Sequence, residues 1–338
     1  MLYQTENRHG GDIYGGIALD FSANVSPLGT PRSVTDAIER ALPELYRYPD
    51  PYCRTLVQTI SEYEGVPKNF VLCGNGASEL IYAYCGAVRP KRAMELAPTF
   101  SEYSLALRRT GCEIVRFALK QEKNFDLRES FLPILAREKI DALFLCNPNN
   151  PTGRLIADDL LEEILRICRE KNIALFVDEC FLSLSDGGVD LTPSLSDFPQ
   201  LFILKAFTKS FGMAGLRLGW IVTHNRQLLD SCVSHRDYDL ISCGMFDEAV
   251  AEIALHNSAA LLQRNRGIVR ENLAILDAWV QGEKHVSYVK PQAGTTALVY
   301  YDFDMPSYEL CKRMYHETGA FVTPGDCFEQ PHSMRVGY

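Results

Sequence analysis

Short apolar runs alternate with amphipathic helical patterns from about residue 70 to residue 222, and this alternation constrains the fold more than any other feature. The run at 142–146 precedes a helical pattern over about 157–171, which starts with acids and ends with bases as the helix dipole favours. Strands that are apolar throughout are typical of a mostly parallel sheet covered by helices on both faces. We therefore predict an α/β fold. The other predicted strands are 70–73, 173–177, 201–204 and 218–222.

The last third of the chain has a different pattern, in which one long helix precedes separate strands. The helical pattern runs over about 247–281, with Gly267 as its weak point, and strands follow near 294–301 and 333–338. This α+β pattern predicts a smaller second domain. We expect an N-terminal segment (1–40) that packs with the small domain, a large domain (41–240) and a small domain (241–338). Because the sequence stops just after a predicted strand, we expect the small domain to lack a closing helix.

Charge and composition exclude several classes of protein. The 338 residues include 34 basic and 43 acidic side chains, and a net charge of −9 disfavours nucleic-acid binding. No apolar run approaches the ~20 residues that span a bilayer, and the first eight residues lack the apolar core of a signal peptide. The eleven cysteines are scattered, without a Cys-x-x-Cys pair or zinc-ligand spacing. We therefore expect a cytoplasmic protein without a metal site or a membrane segment, whose thiols are mostly core residues.

Two loops that follow predicted strands suit an anionic ligand. The sequence Gly-Asn-Gly-Ala-Ser at 74–78 precedes a predicted helix, where glycines admit a close approach and free amides bind anions. Glu79 stands where a dinucleotide fingerprint has its third glycine, so this loop alone is equally consistent with a tight turn. The loop at 147–153 is rich in the turn formers proline and asparagine. Its position at a strand end gives the Asn150 amide a use as a donor to a ligand oxygen.

Two further strand ends carry an acid and a lysine. Asp178 follows an apolar run, and a buried carboxylate there needs a partner such as a cationic ligand nitrogen. Lys209 lies eight residues before Arg217, near the end of another apolar run. A lysine in such a place has a lowered pKa and can form a Schiff base, although an isolated loop lysine is usually a surface residue. Together the four segments offer the groups that hold pyridoxal 5′-phosphate.

The order of these motifs resembles the fold type I, class I/II aminotransferase family over essentially the whole chain. The motifs are Gly-Asn-Gly, Asn-Pro-Thr-Gly, Asp-Glu, Thr-Lys and Gly-Leu-Arg-Leu-Gly. The resemblance implies a large domain around a mostly parallel sheet, a smaller α+β domain and pyridoxal 5′-phosphate as cofactor. It implies that Lys209 forms the internal aldimine, Asp178 pairs with the ring nitrogen and Asn150 donates to the ring oxygen. Phosphate contacts are implied for Gly76, Ala77, Ser78, Thr208 and Arg217.

The resemblance also implies residues around the ring and the substrate. Phe100 would stack on the ring, and Tyr48 would reach the phosphate in the neighbouring subunit of a homodimer. Arg335 matches the arginine that binds the substrate α-carboxylate through a bidentate pair. Asn24 lies in the amino-terminal segment on the substrate side.

Two positions depart from the commonest family pattern. Phe181 replaces a tyrosine whose hydroxyl bonds the ring oxygen, which predicts a less depressed aldimine pKa. Ala206 replaces a serine or threonine of the phosphate site. Neither change removes a catalytic group.

The reaction itself is less determined by the sequence. The first half, including the segments 8–11 and 47–50, is similar to threonine-phosphate decarboxylases and histidinol-phosphate aminotransferases. In the decarboxylase branch a histidine recognises the substrate phosphate, which makes His9 a candidate, although a histidine near a chain end is as often part of a flexible terminus. The segment 323–338 is instead similar to general amino-acid aminotransferases. We predict amino transfer between an L-amino acid, or an amino-phosphate compound, and a 2-oxo acid, with decarboxylation of the L-threonine O-3-phosphate type as the alternative.

Other classes of function fit less well. A regulatory protein that binds the same cofactor would need a DNA-binding head, for which there is no room before residue 20. A hydrolase would need a Gly-x-Ser-x-Gly elbow, which is absent. Arg264, Arg266 and Arg270 on the predicted long helix indicate a solvated face rather than an anion site.

Overall fold

A computed structural model describes residues 19–338, except for the side chain of Tyr238. The strands within these residues are β1 (Leu19–Asp20), β2 (Val71–Gly74), β3 (Arg92–Ala97), β4 (Glu113–Ala118), β5 (Ala142–Cys146), β6 (Ala174–Asp178), β7 (Leu201–Ala206), β8 (Gly219–Val222), β9 (Val286–Tyr288), β10 (Thr296–Tyr301), β11 (Ala320–Phe321), β12 (Thr323–Pro324) and β13 (Ser333–Gly337). The helices are α1 (Arg32–Ala41), α2 (Arg54–Glu64), α3 (Ala77–Val88), α4 (Glu102–Arg109), α5 (Leu132–Arg137), α6 (Asp158–Lys171), α7 (Phe207–Ser210), α8 (Arg226–Asp239), α9 (Met245–His256), α10 (Ser258–Gly282) and α11 (Ser307–Thr318).

A seven-stranded sheet forms the centre of the fold, in the order β2-β8-β7-β6-β5-β3-β4. The strands from β7 to β4 are parallel, whereas β8 is antiparallel to both of its neighbours. The predicted α/β fold with a mostly parallel sheet is therefore confirmed. Strands β3 and β4 were not predicted, because charged residues such as Glu95 and Arg116 interrupt their apolar pattern.

Separate hydrophobic cores cover the two faces of this sheet. In β6, Leu175 and Val177 join the core under α2, α6 and α9, whereas Phe176 joins the core under α3, α4 and α8. Alternate side chains of one strand point to opposite faces, which explains why the whole run is apolar. Each large side chain that is fully buried here stabilises the fold by about 1.5–3 kcal/mol.

The structure has two helices, α9 and α10, where one long helix was predicted over 247–281. The prediction that this helix is weakest at Gly267 is wrong. The break falls at Asn257, where the side-chain Nδ2 donates to the carbonyl of Ile253 at 2.8 Å. Asparagine competes with the backbone for helical hydrogen bonds and so favours helix ends. Gly267 lies within α10, where no atom would contact a Cβ at this position.

The arginines of α10 bind other parts of the chain, so the predicted solvated face is only partly correct. The Nε atom of Arg266 donates to the carbonyl of Ser183 at 2.7 Å, and Arg264 donates to the carbonyl of Leu28. Arg270 is exposed and pairs with an aspartate.

A second sheet of four antiparallel strands, in the order β12-β13-β10-β9, lies in the carboxyl-terminal part. The strands predicted near 294–301 and 333–338 are present as β10 and β13. The short β1 pairs in parallel with β11, which brings the start of the described chain to this part of the molecule. The helix α9 joins the core of the large sheet through Val250 and Ala254. No helix in residues 19–338 has the length and apolar character needed to cross a membrane.

Candidate active site

A cavity of about 300 Å³ lies at the carboxyl ends of β5, β6 and β7. Ligands of such sheets bind at this edge because the loops that follow parallel strands converge there. The structure brings together Asn24, Ala77, Ser78, Phe100, Asn150, Asp178, Thr208, Lys209, Arg217 and Arg335, all from the sequence prediction. Lining residues that the sequence analysis did not assign to the site are Ala23, Ser101, Cys146, Cys180 and Phe328.

Lys209 points into this cavity from α7, the short helix after β7. Its Nζ atom donates to the carbonyl oxygens of Ala23 at 2.6 Å and Asn24 at 3.3 Å. Burial, together with the positive charges of Arg335 and Arg217, lowers the pKa of the amine to about 8. The amine therefore gains and loses a proton near neutral pH.

Asp178 ends β6 and is 5% exposed. Its Oδ1 accepts the backbone N–H of Cys180 at 2.9 Å, and its Oδ2 accepts the hydroxyl of Tyr103 at 2.7 Å. Burial raises the pKa of this carboxyl, so a cationic ligand group beside it would favour its ionised form. Tyr103 was not predicted as a site residue, although its spacing of three from Phe100 is a signal that both rings lie on one face at a helix start.

An anion cradle forms where β2 leads into α3. Gly76 has φ +89°, and a Cβ atom there would lie 2.6 Å from the Nη2 atom of Arg217. Only glycine therefore lets this guanidinium lie so close to the helix start. The first-turn amides of Ala77 and Ser78 have no acceptor within the helix, and both residues line the cavity. Within residues 19–338 Arg217 forms no ion pair, so the cradle fits a phosphate.

Arg335 lies in β13 and is 4% exposed. Its Nη2 atom donates to the carbonyl of Ser22 at 2.6 Å, and its Nη1 atom donates to Oδ1 of Asn150 at 3.3 Å. Its Nε atom has no partner, nor does the buried Oδ1 of Asn24, among the residues that the structure describes. Burial lowers the pKa of the guanidinium to about 10. No described carboxylate lies within ion-pair distance, so this buried cation suits an anionic ligand.

Aromatic side chains form part of the cavity wall, which Phe100, Phe181 and Phe328 line. Phe100 packs edge to face against Tyr103, with ring centroids 5.7 Å apart. Phe181 lies against Gly294, whose φ is +78°. These rings give a flat ligand apolar surfaces to contact.

Three predicted site residues are not among those that line this cavity. Gly76 lies just before α3, next to the lining residue Arg217. Tyr48 is 95% exposed and lines a separate surface groove with Arg47, Arg54 and Glu248. His9 lies outside the described residues. The contribution of Tyr48 to the site of a neighbouring subunit stays a prediction.

A buried ion network supports the two strands that position the acid and the lysine. The Nζ atom of Lys205, in β7, lies 2.7 Å from Glu64, 3.1 Å from Asp190 and 3.6 Å from Glu179. Burial raises the pKa of Glu179 to about 8, against the opposing effect of Lys205. Glu179 directly follows Asp178, and Lys205 directly precedes Ala206. Both Asp178 and Ala206 line the cavity. The network therefore holds the ends of β6 and β7 together.

Comparison with known proteins gives one consistent likeness. The family described as aminotransferase class I and II matches residues 17–338. A threonine-phosphate decarboxylase of Salmonella typhimurium is 40% identical over 204 residues, which are 60% of this chain and 56% of that protein. A histidinol-phosphate aminotransferase of Desulfitobacterium hafniense is 31% identical over 262 residues, which are 76% of this chain and 71% of that protein. The alignment thus spans just over half the length of the decarboxylase.

The solved structures agree with the sequence likeness. A PLP-dependent aminotransferase from Streptococcus suis superposes with a TM-score of 0.84 at 27% identity. The superposition covers 95% of this chain and 88% of that one.

Proposed function

The chain belongs to the aminotransferase class I and II family, and from this premise we propose that it is a pyridoxal-phosphate-dependent aminotransferase. It would move an amino group between an L-amino acid, or an amino-phosphate compound, and a 2-oxo acid. One observation carries the proposal: three cations, Lys209, Arg217 and Arg335, converge with Asp178 on one cavity. This arrangement suits a ligand set that presents a phosphate and a carboxylate. The family and the Streptococcus suis structure support pyridoxal phosphate, the cofactor expected from the sequence.

The lining residues fit this cofactor because each of its polar groups finds a complementary partner. Gly76, Ala77, Ser78, Thr208 and Arg217 would hold the phosphate, and Phe100 would stack on the ring. Asp178 would face the ring nitrogen, with Tyr103 and the amide of Cys180 fixing its orientation. Asn150 would donate to the ring oxygen, since its Oδ1 atom already accepts from Arg335. When bound, the cofactor supplies a sink for the electron pair left at the substrate Cα.

The remaining residues bind the substrate and carry its proton. Arg335 would bind the α-carboxylate, and Asn24 lines the same cavity with a carboxamide oxygen that has no partner among residues 19–338. The neutral amine of Lys209 would take the proton from the substrate Cα, and the ammonium would return a proton in the next half-reaction. A pKa of about 8 suits both directions of this transfer. The apolar walls exclude water, which strengthens each charge interaction inside.

The reactivity of Lys209 should rise with pH through about 8, since the neutral amine is the nucleophile. The rate at which the purified protein bonds to added pyridoxal phosphate, trapped with borohydride at each pH, measures this midpoint. Arg335→Gln should move the midpoint to higher pH, because the variant removes a positive charge that lowers the pKa. Arg166→Gln, an exposed change on α6, is the matched control and should leave the midpoint unchanged. A wild-type midpoint above pH 10 would contradict the assignment of Lys209.

Arg335→Gln should weaken substrate binding while it stabilises the free protein. Loss of a buried partner for the carboxylate should raise KM by about 30-fold to 1,000-fold, or about 2–4 kcal/mol. Removing a buried charge that lacks a counter-ion should raise the Tm. Steady-state kinetics and thermal unfolding measure the two effects, with the exposed Arg313→Gln as control. An unchanged KM would show that another residue binds the carboxylate.

Decarboxylation is the second candidate, favoured by the 40% identity to a threonine-phosphate decarboxylase. Both reactions use the same cofactor contacts, and the outcome depends on which Cα bond stands perpendicular to the ring. The protein should therefore be mixed with a panel of amino acids and with threonine phosphate while the cofactor absorbance is followed. Keto-acid release with conversion of the cofactor to its amine form would establish amino transfer. Carbon dioxide release with the original absorbance restored would establish decarboxylation, with His9 as a candidate for the substrate phosphate.

The assembly proposed is a homodimer in which Tyr48 serves the partner's cofactor. Tyr48, Tyr46 and Leu45 are exposed aromatic and apolar residues on one segment, which supports burial against a second copy. A monomer in light scattering that turns over normally would refute this assembly. The division into segments 1–40, 41–240 and 241–338, and a cytoplasmic location, remain part of the same proposal. The pairing of β1 with β11 supports the packing of the N-terminal segment with the small domain, and the eleven free thiols support a reducing compartment.

A further inference from the structure

Three buried thiols meet beneath the segment that carries Tyr48. Cys53 directly precedes α2, Cys73 lies in β2 and Cys243 lies just before α9. Each is at most 1% exposed. The Cys53 thiol is within hydrogen-bonding reach of the thiols of both Cys73 and Cys243. Folding therefore brings three thiols that are distant in sequence into one cluster, which we call the Cys53 cluster.

A buried cation faces the Cys53 cluster. Arg236 of α8 is 2% exposed and donates to the carbonyls of Cys73 at 3.0 Å and Pro51 at 2.7 Å. Its Nε atom has no hydrogen-bond partner among the described residues. An ion pair with Asp237 at 3.0 Å satisfies only part of this guanidinium. A thiolate at Cys53 would supply further negative charge.

The surroundings favour that thiolate. Hydrogen bonds from Cys243 and Cys73, together with the charge of Arg236, lower the pKa of Cys53 against the effect of burial. Glu248, which contacts Cys53, has its own pKa raised to about 8 by burial, so it is mostly uncharged at neutral pH. The thiolate is the nucleophilic form of cysteine.

A second thiol cluster on the other face of the sheet provides a comparison within the same chain. Cys85 lies near Cys112 and Cys232 in the core under α3 and α8. Burial raises the pKa of all three thiols, and no cation in the described part of the chain opposes this effect. These thiols stay protonated and unreactive.

We propose that the Cys53 cluster is a modification site, at which Cys53 forms a reversible disulfide with Cys243 or Cys73 when the protein meets a hydroperoxide. The Cys53 thiolate attacks the peroxide, so that an S–O bond forms, the O–O bond breaks and an alcohol or water leaves. The neighbouring thiol, whose pKa the nearby Cys53 and burial raise, then attacks this sulfur as it gives up its proton, which forms the S–S bond and releases water. A dithiol reductant restores both thiols by exchange.

The site is coupled to the anion cradle through the chain itself. Cys73 precedes Gly74 in the loop to α3, and Arg236 joins the carbonyl of Cys73 to the segment at Pro51. Because the thiols are buried, the peroxide reaches them only when the region around them opens locally. A phosphate bound in the cradle would hold this region closed. This coupling rests on the proposed function, whereas the disulfide does not.

The experiment exposes the full-length protein to hydrogen peroxide, blocks free thiols at intervals and maps every cysteine by mass spectrometry. A Cys53 disulfide should appear in the folded protein before Cys85, Cys112 or Cys232 is modified, and dithiothreitol should remove it. Saturating pyridoxal phosphate should slow its formation about tenfold. Arg236→Gln should also slow it about tenfold, whereas Arg236→Lys keeps the charge and much of the rate.

Cys243→Ser and Cys73→Ser, made separately, identify the partner and keep the test valid if Cys53→Ser fails to fold. The proposal is overturned if Cys53 stays reduced until circular dichroism reports unfolding, or if it reacts no faster than Cys85. If pyridoxal phosphate binds, as its absorbance shows, but gives no protection, the coupling is wrong and the disulfide stands. If it does not bind, the proposed function fails, and the peroxide series still decides the disulfide.

Discussion

Lys209→Ala should abolish the borohydride-stable link to pyridoxal phosphate and reduce turnover about a thousandfold or more. Alanine offers neither a nucleophile for the cofactor aldehyde nor a carrier for the substrate proton. Lys209→Arg should fail in the same way, since it keeps the positive charge but loses the nucleophilic amine. Mass spectrometry of the reduced protein measures the link, and a coupled assay measures turnover. A trapped adduct in Lys209→Ala would mean that another lysine bonds the cofactor.

Lys205→Met should leave that link intact but destabilise the fold by about 3–5 kcal/mol. The variant removes the ammonium that lies 2.7 Å from Glu64 and 3.6 Å from Glu179, and so leaves two buried acids without their cation. Urea unfolding of the protein measures the free energy. Lys205 and Lys209 are four residues apart and both largely buried, so each variant is the matched control for the other. An unchanged unfolding free energy would show that the network does not support the sheet.

The sheet was predictable where the strands are apolar throughout. In β5 and β6 the burial of both faces leaves a continuous apolar run, which is visible in the sequence. In β3 the charge of the buried Glu95 is balanced by Arg116 of β4, at 3.0 Å. This ion pair joins two strands that are separate in sequence, so the sequence alone does not reveal it. The same reason explains the missed ion network, in which Lys205 meets acids from residues 64, 179 and 190.

The candidate site was predictable where a motif carries the residue. Lys209, Asp178 and Asn150 each lie in a short segment at a strand end, and the structure places all three around one cavity. Tyr103 belongs to no such segment and reaches Asp178 only through tertiary packing. Tyr48 is exposed in the single chain, because its predicted contact is with the cofactor of a second subunit.

The backbone carbonyls of residues 22–24 act as placeholders for the ligand. Arg335 donates to Ser22, and Lys209 donates to Ala23 and Asn24, so both cations already have neutral oxygen partners before any ligand arrives. A ligand that offers only a neutral oxygen gains nothing by displacing them, whereas a carboxylate gains a charge-assisted bond. The site therefore selects ligands by charge. Amides and esters of a substrate do not displace the backbone carbonyls, whereas the carboxylate does.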